Sequence, residues 1–374
     1  MSRIAFGALE NALTRALDER RKSGRPLVDL TESNPTRVGL ARASVSLPDA
    51  PFYDPDPRGL LPAREAIAAY YSPRARVDPA RVLCTASTSE AYGFLFKLLC
   101  DPGDEVLVPE PSYPLFGMLT ALEAVRAVPY ELRYDGEWHL GDVHFSPRTR
   151  ALLVVNPGNP TGAFLKKDER ARLAGLCARH GCALISDEVF ADFARAPDPR
   201  RVETVAAFDD VLSFSLSGLS KVAGLPQLKL GWCVASGPGA DEQVARLELI
   251  ADTYLGVGTP VQLAAGALLG TRHAFQRGLR ERLEQNLRAL LSARGPLAAW
   301  DVLPAEGGWS AILSVPRSRT EEEWALSLLE RGVLVHPGYF FDFPSGAHLV
   351  VSLLPEPADF ARAAAVLQEC MSAT

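Results

Sequence analysis

Two lysines stand eight residues apart in an otherwise uncharged stretch, SFSLSGLSKVAGLPQLKLGW, from Ser213 to Trp232. A lysine amine among apolar neighbours is costly to keep charged, so it needs a counter-charge or a chemical role. Lys221 follows a Ser/Gly-rich turn, and Lys229 falls in what reads as the next strand. Asp187 ends the apolar run ALIS, where a carboxylate must face something cationic. A plain salt bridge between Asp187 and Lys221 would satisfy both.

Three further segments carry polar chemistry. Ser87, Thr88 and Ser89 open a helical stretch with hydroxyls and free backbone N–H groups, a ready phosphate cradle or a simple N-cap. Tyr113, in PSYP, presents a flat ring that could stack on a ligand or only pack. Asn159 sits in the turn string NPGNPTG, a sequence that also occurs as a bare loop. Taken in order, a phosphate cradle, an aromatic plate, an Asn, a strand-end Asp and a loop Lys describe a site for pyridoxal 5′-phosphate. In such a site the lysine bonds the aldehyde and the carboxylate pairs with the pyridine nitrogen.

The pieces YDPDPRGLLPAREAIAAYY, TASTSEA, PGDEVLVPEPSYPLF, NPGNPTG, ISDEVF, SGLSKVAGLPQLKLGW, EGGW and VLVHPGYFF occur in this order over essentially the whole chain. They resemble the class I/II aminotransferases, pyridoxal-phosphate enzymes of fold type I. The resemblance implies that Lys221 is the Schiff-base lysine and proton shuttle, that Asp187 binds the ring nitrogen and that Asn159 binds the ring 3′-oxygen. It implies that Tyr113 stacks on the ring, that Ser87, Thr88, Ser89 and Ser220 surround the phosphate, and that Tyr53 reaches it from the partner subunit of a homodimer. Ser33, Asn34, Arg37 and Trp309 then fall on the substrate side.

Three positions depart from the resembled pattern. Lys229 stands where relatives carry a phosphate-clamping arginine, keeping the charge without the bidentate fork. Phe190 replaces a tyrosine that donates to the 3′-oxygen. Val350, in AHLVVSLLP, replaces the arginine that binds a substrate α-carboxylate, and Arg37 is the favoured substitute, ahead of His336, His348 and Arg58. Two other readings remain open: a related lyase, and a degenerate cofactor-binding module without catalysis.

The elements that must position these residues are legible as periodicity. RVLCT, EVLVP, RAVPYEL, ALLVVN, ALISDE, VLSFSL and LKLGWCVAS read as strands, with helices in TSEAYGFLFKLLC, LFGMLTALEA and KDERARLAGLCARHG. Near-continuous apolar strands alternating with helices predict an α/β fold, a mainly parallel sheet sandwiched by helices, with the ligand crevice at the strands' carboxyl ends. After about His273 a long charged helix and the strands SAILSV, GVLVHPG and HLVVSLL predict a smaller α+β domain. The expected division is 1–45 packing with the small domain, 46–272 for the large cofactor domain, and 273–374 for the small domain.

Composition excludes several classes. The 374 residues are 47% hydrophobic and 22% charged, which argues against disorder, and a net charge of −6 without a basic stripe argues against nucleic acid. Six cysteines with no CxxC pair and no metal-ligand spacing read as buried thiols of a reducing compartment. The charged N-terminus reads as an amphipathic helix rather than a signal peptide, and no apolar stretch is long enough to span a bilayer, so a cytoplasmic protein without a metal site is expected.

Overall fold

The computed structural model describes residues 11–40 and 44–372. Its centre is an eight-stranded sheet. The order across it is Val82–Thr85, Gly231–Ser236, Ser213–Gly218, Ala183–Asp187, Thr149–Val155, Glu105–Glu110, Arg126–Tyr134 and Trp138–Leu140. The five strands from Ser213–Gly218 to Arg126–Tyr134 pair in parallel. Gly231–Ser236 runs antiparallel to both of its neighbours, so Val82–Thr85 points the same way as the parallel set. All the loaded strand exits therefore open on one edge, as the mainly parallel reading requires.

Apolar side chains on successive strand residues explain the two helical layers, because neighbours along a strand face opposite ways. Ile185, Leu153 and Phe214 pack under helices Thr88–Leu99 and Ala240–Asp252, through Leu95 and Leu247. Leu184, Leu152 and Leu107 face the other way onto Lys167–His180, through Leu173 and Cys177.

A second, four-stranded antiparallel sheet joins Asp301–Leu303, Ser310–Ser314, His348–Ser352 and His336–Pro337. Its core includes Trp324, Leu328 and Phe360 together with Leu279 and Leu290 of the long helix Arg272–Arg294. The N-terminal segment joins the same core. Val28–Asp29 pairs in parallel with Val333–Leu334, and Arg20 donates across to the Glu330 carbonyl at 3.2 Å.

Several expectations need correction. LKLGWCVAS is a strand only from Gly231: Pro226 opens a short 3-10 turn, Pro226–Leu228, and Lys229 follows it at φ 51°. Lys229 is thus an exposed turn residue and not a strand lysine. GVLVHPG breaks at Val335 into two short pieces that serve different sheets, Val333–Leu334 pairing with Val28–Asp29 and His336–Pro337 with His348–Ser352. The strand Trp138–Leu140 and helices Leu61–Tyr71 and Ala240–Asp252 were not anticipated. The N-terminal helix is Ala12–Lys22, and the start of that expectation lies outside the described residues. All six cysteines are free, five of them buried and Cys100 half-buried. No helix among the described residues is long and apolar enough to cross a membrane.

Candidate active site

A cavity of about 520 Å³ lies where the large sheet's carboxyl edge meets the small sheet. That size suits a small organic ligand, for which pockets run to about 300–1,000 Å³. Its floor is Asp187, the last residue of its strand and 7% exposed. The Tyr92 hydroxyl donates to Asp187 Oδ2 at 2.8 Å and the Val189 N–H to Oδ1 at 3.2 Å. Burial raises the Asp187 carboxyl above its ordinary value, while these two donors and the charge of Lys221 pull it back. A carboxylate so placed is ready for a cationic partner in the cavity.

Lys221 lies in the one-turn helix Leu219–Val222 directly after the strand Ser213–Gly218. Its Nζ donates to the Ser33 carbonyl at 3.3 Å and stands 5.0 Å from the Trp309 ring centre and 5.8 Å from that of Phe190. Desolvation lowers its pKa to about 8, against the opposing pull of Asp187 and Glu32. The direct Asp187–Lys221 salt bridge offered as the plain alternative is not formed. The acid bonds Tyr92 and Val189, and the two groups act on each other only through their fields.

At the far end, helix Thr88–Leu99 begins with Ser87 as its N-cap. Ser87 Oγ accepts from the Glu90 N–H at 3.2 Å, and Glu90 Oε2 accepts from the Ala86 N–H at 2.6 Å. The Ser87 oxygen accepts in capping and keeps its O–H to donate, and Ser87, Thr88 and Ser89 all line the cavity at the helix end, where an anion would be favoured. Gly231 sits against this turn so closely that a Cβ there would lie 2.9 Å from the Ser87 carbonyl carbon. That close backbone approach leaves the cradle open to the cavity.

Ser220, Tyr113, Asn159, Phe190, Trp309, Ser33 and Val350 also face the cavity. The two asparagines of NPGNPTG separate cleanly. Asn156 is structural, donating to the Val202 carbonyl at 2.9 Å and accepting from the Leu165 N–H at 3.0 Å. Asn159 is the one at the cavity. Phe190 and Phe193 each meet Trp309 edge to face at 5.2 Å, forming an aromatic wall.

Four predicted residues are not brought to this cavity. Arg37 projects outward with its side chain 73% exposed, 3.9 Å from Glu32, because the ESNPT turn directs it to solvent. It does not stand in for an arginine at Val350. Asn34 closes that same turn, accepting from the Thr36 N–H at 3.0 Å. Lys229 is exposed and does not line the cavity, and Tyr53 is 76% exposed.

Sequence reasoning missed Tyr92, although it lies four residues after Thr88 and so on the same helix face. It also missed the second acid of ISDEVF. Glu188 is buried and bound by Ser215 Oγ, Thr204 Oγ1 and the Val205 N–H at 2.7–2.8 Å, which makes it a structural anchor beneath the site.

The loop before Trp309 is clamped from outside the cavity. Glu306 accepts from Lys166 Nζ at 2.6 Å and from the Phe164 N–H at 2.7 Å, and Arg201 lies 3.4 Å away.

Comparison with known proteins agrees with this geometry. The sequence profile of aminotransferase class I and II matches residues 49–366. The chain is 30% identical over 372 residues to the glutamate-pyruvate aminotransferase AlaA of Escherichia coli, covering 90% of this chain and 88% of that protein. It is 29% identical to an alanine aminotransferase of Mycobacterium bovis, covering 91% and 84%. The solved alanine aminotransferase of Pyrococcus furiosus superimposes with a TM-score of 0.83 at 24% identity, over 98% of each chain. A profile spanning most of the chain, together with a fold that gathers its motifs at one cavity, places this protein in the family of class I and II aminotransferases.

Proposed function

We propose that the cavity holds pyridoxal 5′-phosphate and that the chain transfers an amino group, in two half-reactions, from an amino acid or amine to a 2-oxo acid or other carbonyl. The observation that carries this reading is one cavity that places Lys221 near a buried Asp187, with the Thr88–Ser89 helix end at its other side. The residues fit the group. The helix end and the close approach of Gly231 suit a phosphate, Asp187 suits a protonated ring nitrogen, Asn159 suits the ring oxygen, and Tyr113 a ring face.

When bound, pyridoxal phosphate supplies an electron sink for charge developing at the amino-bearing carbon. The chain's own residues do the rest. Lys221, with its amine near pKa 8, can accept a proton at Nζ and return it near neutral pH. Asp187 keeps its cationic partner protonated, and Tyr92 holds the Asp187 carboxylate in place. Phe190 and Trp309 stand beside Nζ as part of the apolar wall, and desolvation of the amine favours its neutral form.

The proposal extends to assembly. Tyr53 of the YDPDPRG loop and Phe52 just before it are 76% and 83% exposed, an arrangement that suits a two-fold contact in which Tyr53 enters the second copy's site. Residues 46–272 would form the cofactor domain, with 1–45 and 273–374 forming the smaller one, in a cytoplasmic homodimer.

Borohydride reduction of the pyridoxal phosphate-loaded protein, followed by peptide mapping, should label Lys221 alone. Label on Lys229 would refute the assignment.

A further inference from the structure

The substrate end of the cavity is short of positive charge. Among the described residues, the lining side chains able to carry one are Lys221 and His336. Val350 is 2% exposed and lies between Ile312 and His336 in the sheet register, in one apolar cluster with Ile312, Phe341 and Trp138. The His336 ring is flanked by Phe340 and Phe341, each centred 5.7 Å away. Burial lowers the pKa of His336, which leaves the imidazole neutral near neutral pH.

The nearby carboxylates add to this. Glu32 acts on Lys221 and Asp29 acts on His336 through their fields, and Asp187 forms the floor. A substrate carboxylate entering here would lose water and gain no dedicated cation, with Glu32 and Asp29 adding negative field from outside the lining.

We propose that this site prefers amines whose amino-bearing carbon carries uncharged groups, such as alkyl, aryl or hydroxymethyl, over those that carry a carboxylate there. Val350 is the determinant, and His336 is the neutral hydrogen-bonding group for a hydroxyl or carbonyl oxygen. The inference rests on the aminotransferase reading above. The half-reaction balances without an oxidant: amine plus the aldehyde form of the cofactor gives carbonyl product plus the aminated cofactor, with no net water.

The test uses two ligands of similar shape that have no hydrogen on the amino-bearing carbon, so each can engage the cofactor aldehyde through its amine but cannot be deprotonated at that carbon and complete amino transfer. Dissociation constants of 2-amino-2-methylpropanol and 2-methylalanine for the pyridoxal phosphate-loaded protein would be measured by calorimetry. The alcohol should bind at least about tenfold more tightly. In parallel, alaninol and alanine are mixed with the loaded protein, and pyridoxamine phosphate is quantified by mass spectrometry.

Equal or tighter binding of 2-methylalanine would reveal a cation supplied from elsewhere, such as a second copy, and would overturn this inference alone. Failure of both alaninol and alanine to yield pyridoxamine phosphate would overturn the aminotransferase reading and this inference with it. Val350→Arg should reverse the preference if the apolar cluster accepts it, and the wild-type comparison decides the matter whether or not it does.

Discussion

Replacing Tyr92 with phenylalanine tests the electrostatics of the cavity floor. The ring packs on Phe96 and Phe116 at 5.9 and 5.6 Å, so the substitution removes the hydroxyl and leaves the packing. What is lost is the 2.8 Å hydrogen bond to Asp187 Oδ2. A bond to a charged acceptor contributes about 1.5–3 kcal/mol and a neutral one about 0.5–1.5 kcal/mol. The part that depends on Asp187 being ionised is therefore roughly 1 kcal/mol, a little under one pKa unit.

Asp187 already titrates above its ordinary value in the folded chain. Below the ordinary carboxyl value, both folded and unfolded chains hold the proton. As pH rises past it, the unfolded chain releases its proton first, and stability falls until the folded value is passed. Tyr92→Phe moves that folded value further up and lengthens the fall. Urea unfolding of the cofactor-free variant and wild type should thus show a smaller difference at acid pH than at neutral pH, by about 1 kcal/mol. A difference that is the same at every pH would refute the reasoning.

Asp187→Asn should slow turnover by an amount on the order of 3–5 kcal/mol of barrier while weakening cofactor affinity much less; single-turnover kinetics beside a cofactor titration would check it. In the cofactor-free protein, trinitrobenzenesulfonate should modify Lys221 with a midpoint near pH 8, and a midpoint near the usual lysine value of about 10.4 would mean burial is not felt. Glu306→Gln leaves Lys166 and Arg201 facing a neutral amide and should cost roughly 2 kcal/mol or more in urea unfolding, and unchanged stability would remove the clamp from the account.

The parallel sheet was legible because its strands are apolar runs that end in polar loops, and Asp187, Asn159 and Lys221 all occur at such ends. What stayed hidden depends on contacts between segments. Nothing local distinguishes Asp187 from Glu188, yet one faces the cavity and the other is held by Thr204 and Ser215. Lys229 looked like a strand residue because LKLGWCVAS is continuous in hydropathy, and Pro226 three residues earlier was the overlooked signal. Arg37 was favoured for its position in the chain alone, and a turn closed by Asn34 points it to water. Tyr92 stayed hidden because a hydroxyl's partner cannot be read from its own helix.

The pairing of Val28–Asp29 with Val333–Leu334 has a consequence for how the enzyme is made. The Ser33 carbonyl that meets Lys221 lies 188 positions before it in sequence and is steered there by the N-terminal segment. That segment's own anchorage, from Arg20 to the Glu330 carbonyl, spans 310 positions. On the ribosome the strand Val28–Asp29 must wait for Val333–Leu334, until most of the chain has emerged. The strands of the large sheet all lie before Val333, but the contact between the Ser33 carbonyl and Lys221 depends on a segment anchored beyond it. Closing such a long loop is slow relative to forming local contacts. A nascent or truncated chain ending short of Val333 would therefore carry the strands that bear Lys221 and Asp187, yet lack the pairing that steers Ser33 to Lys221.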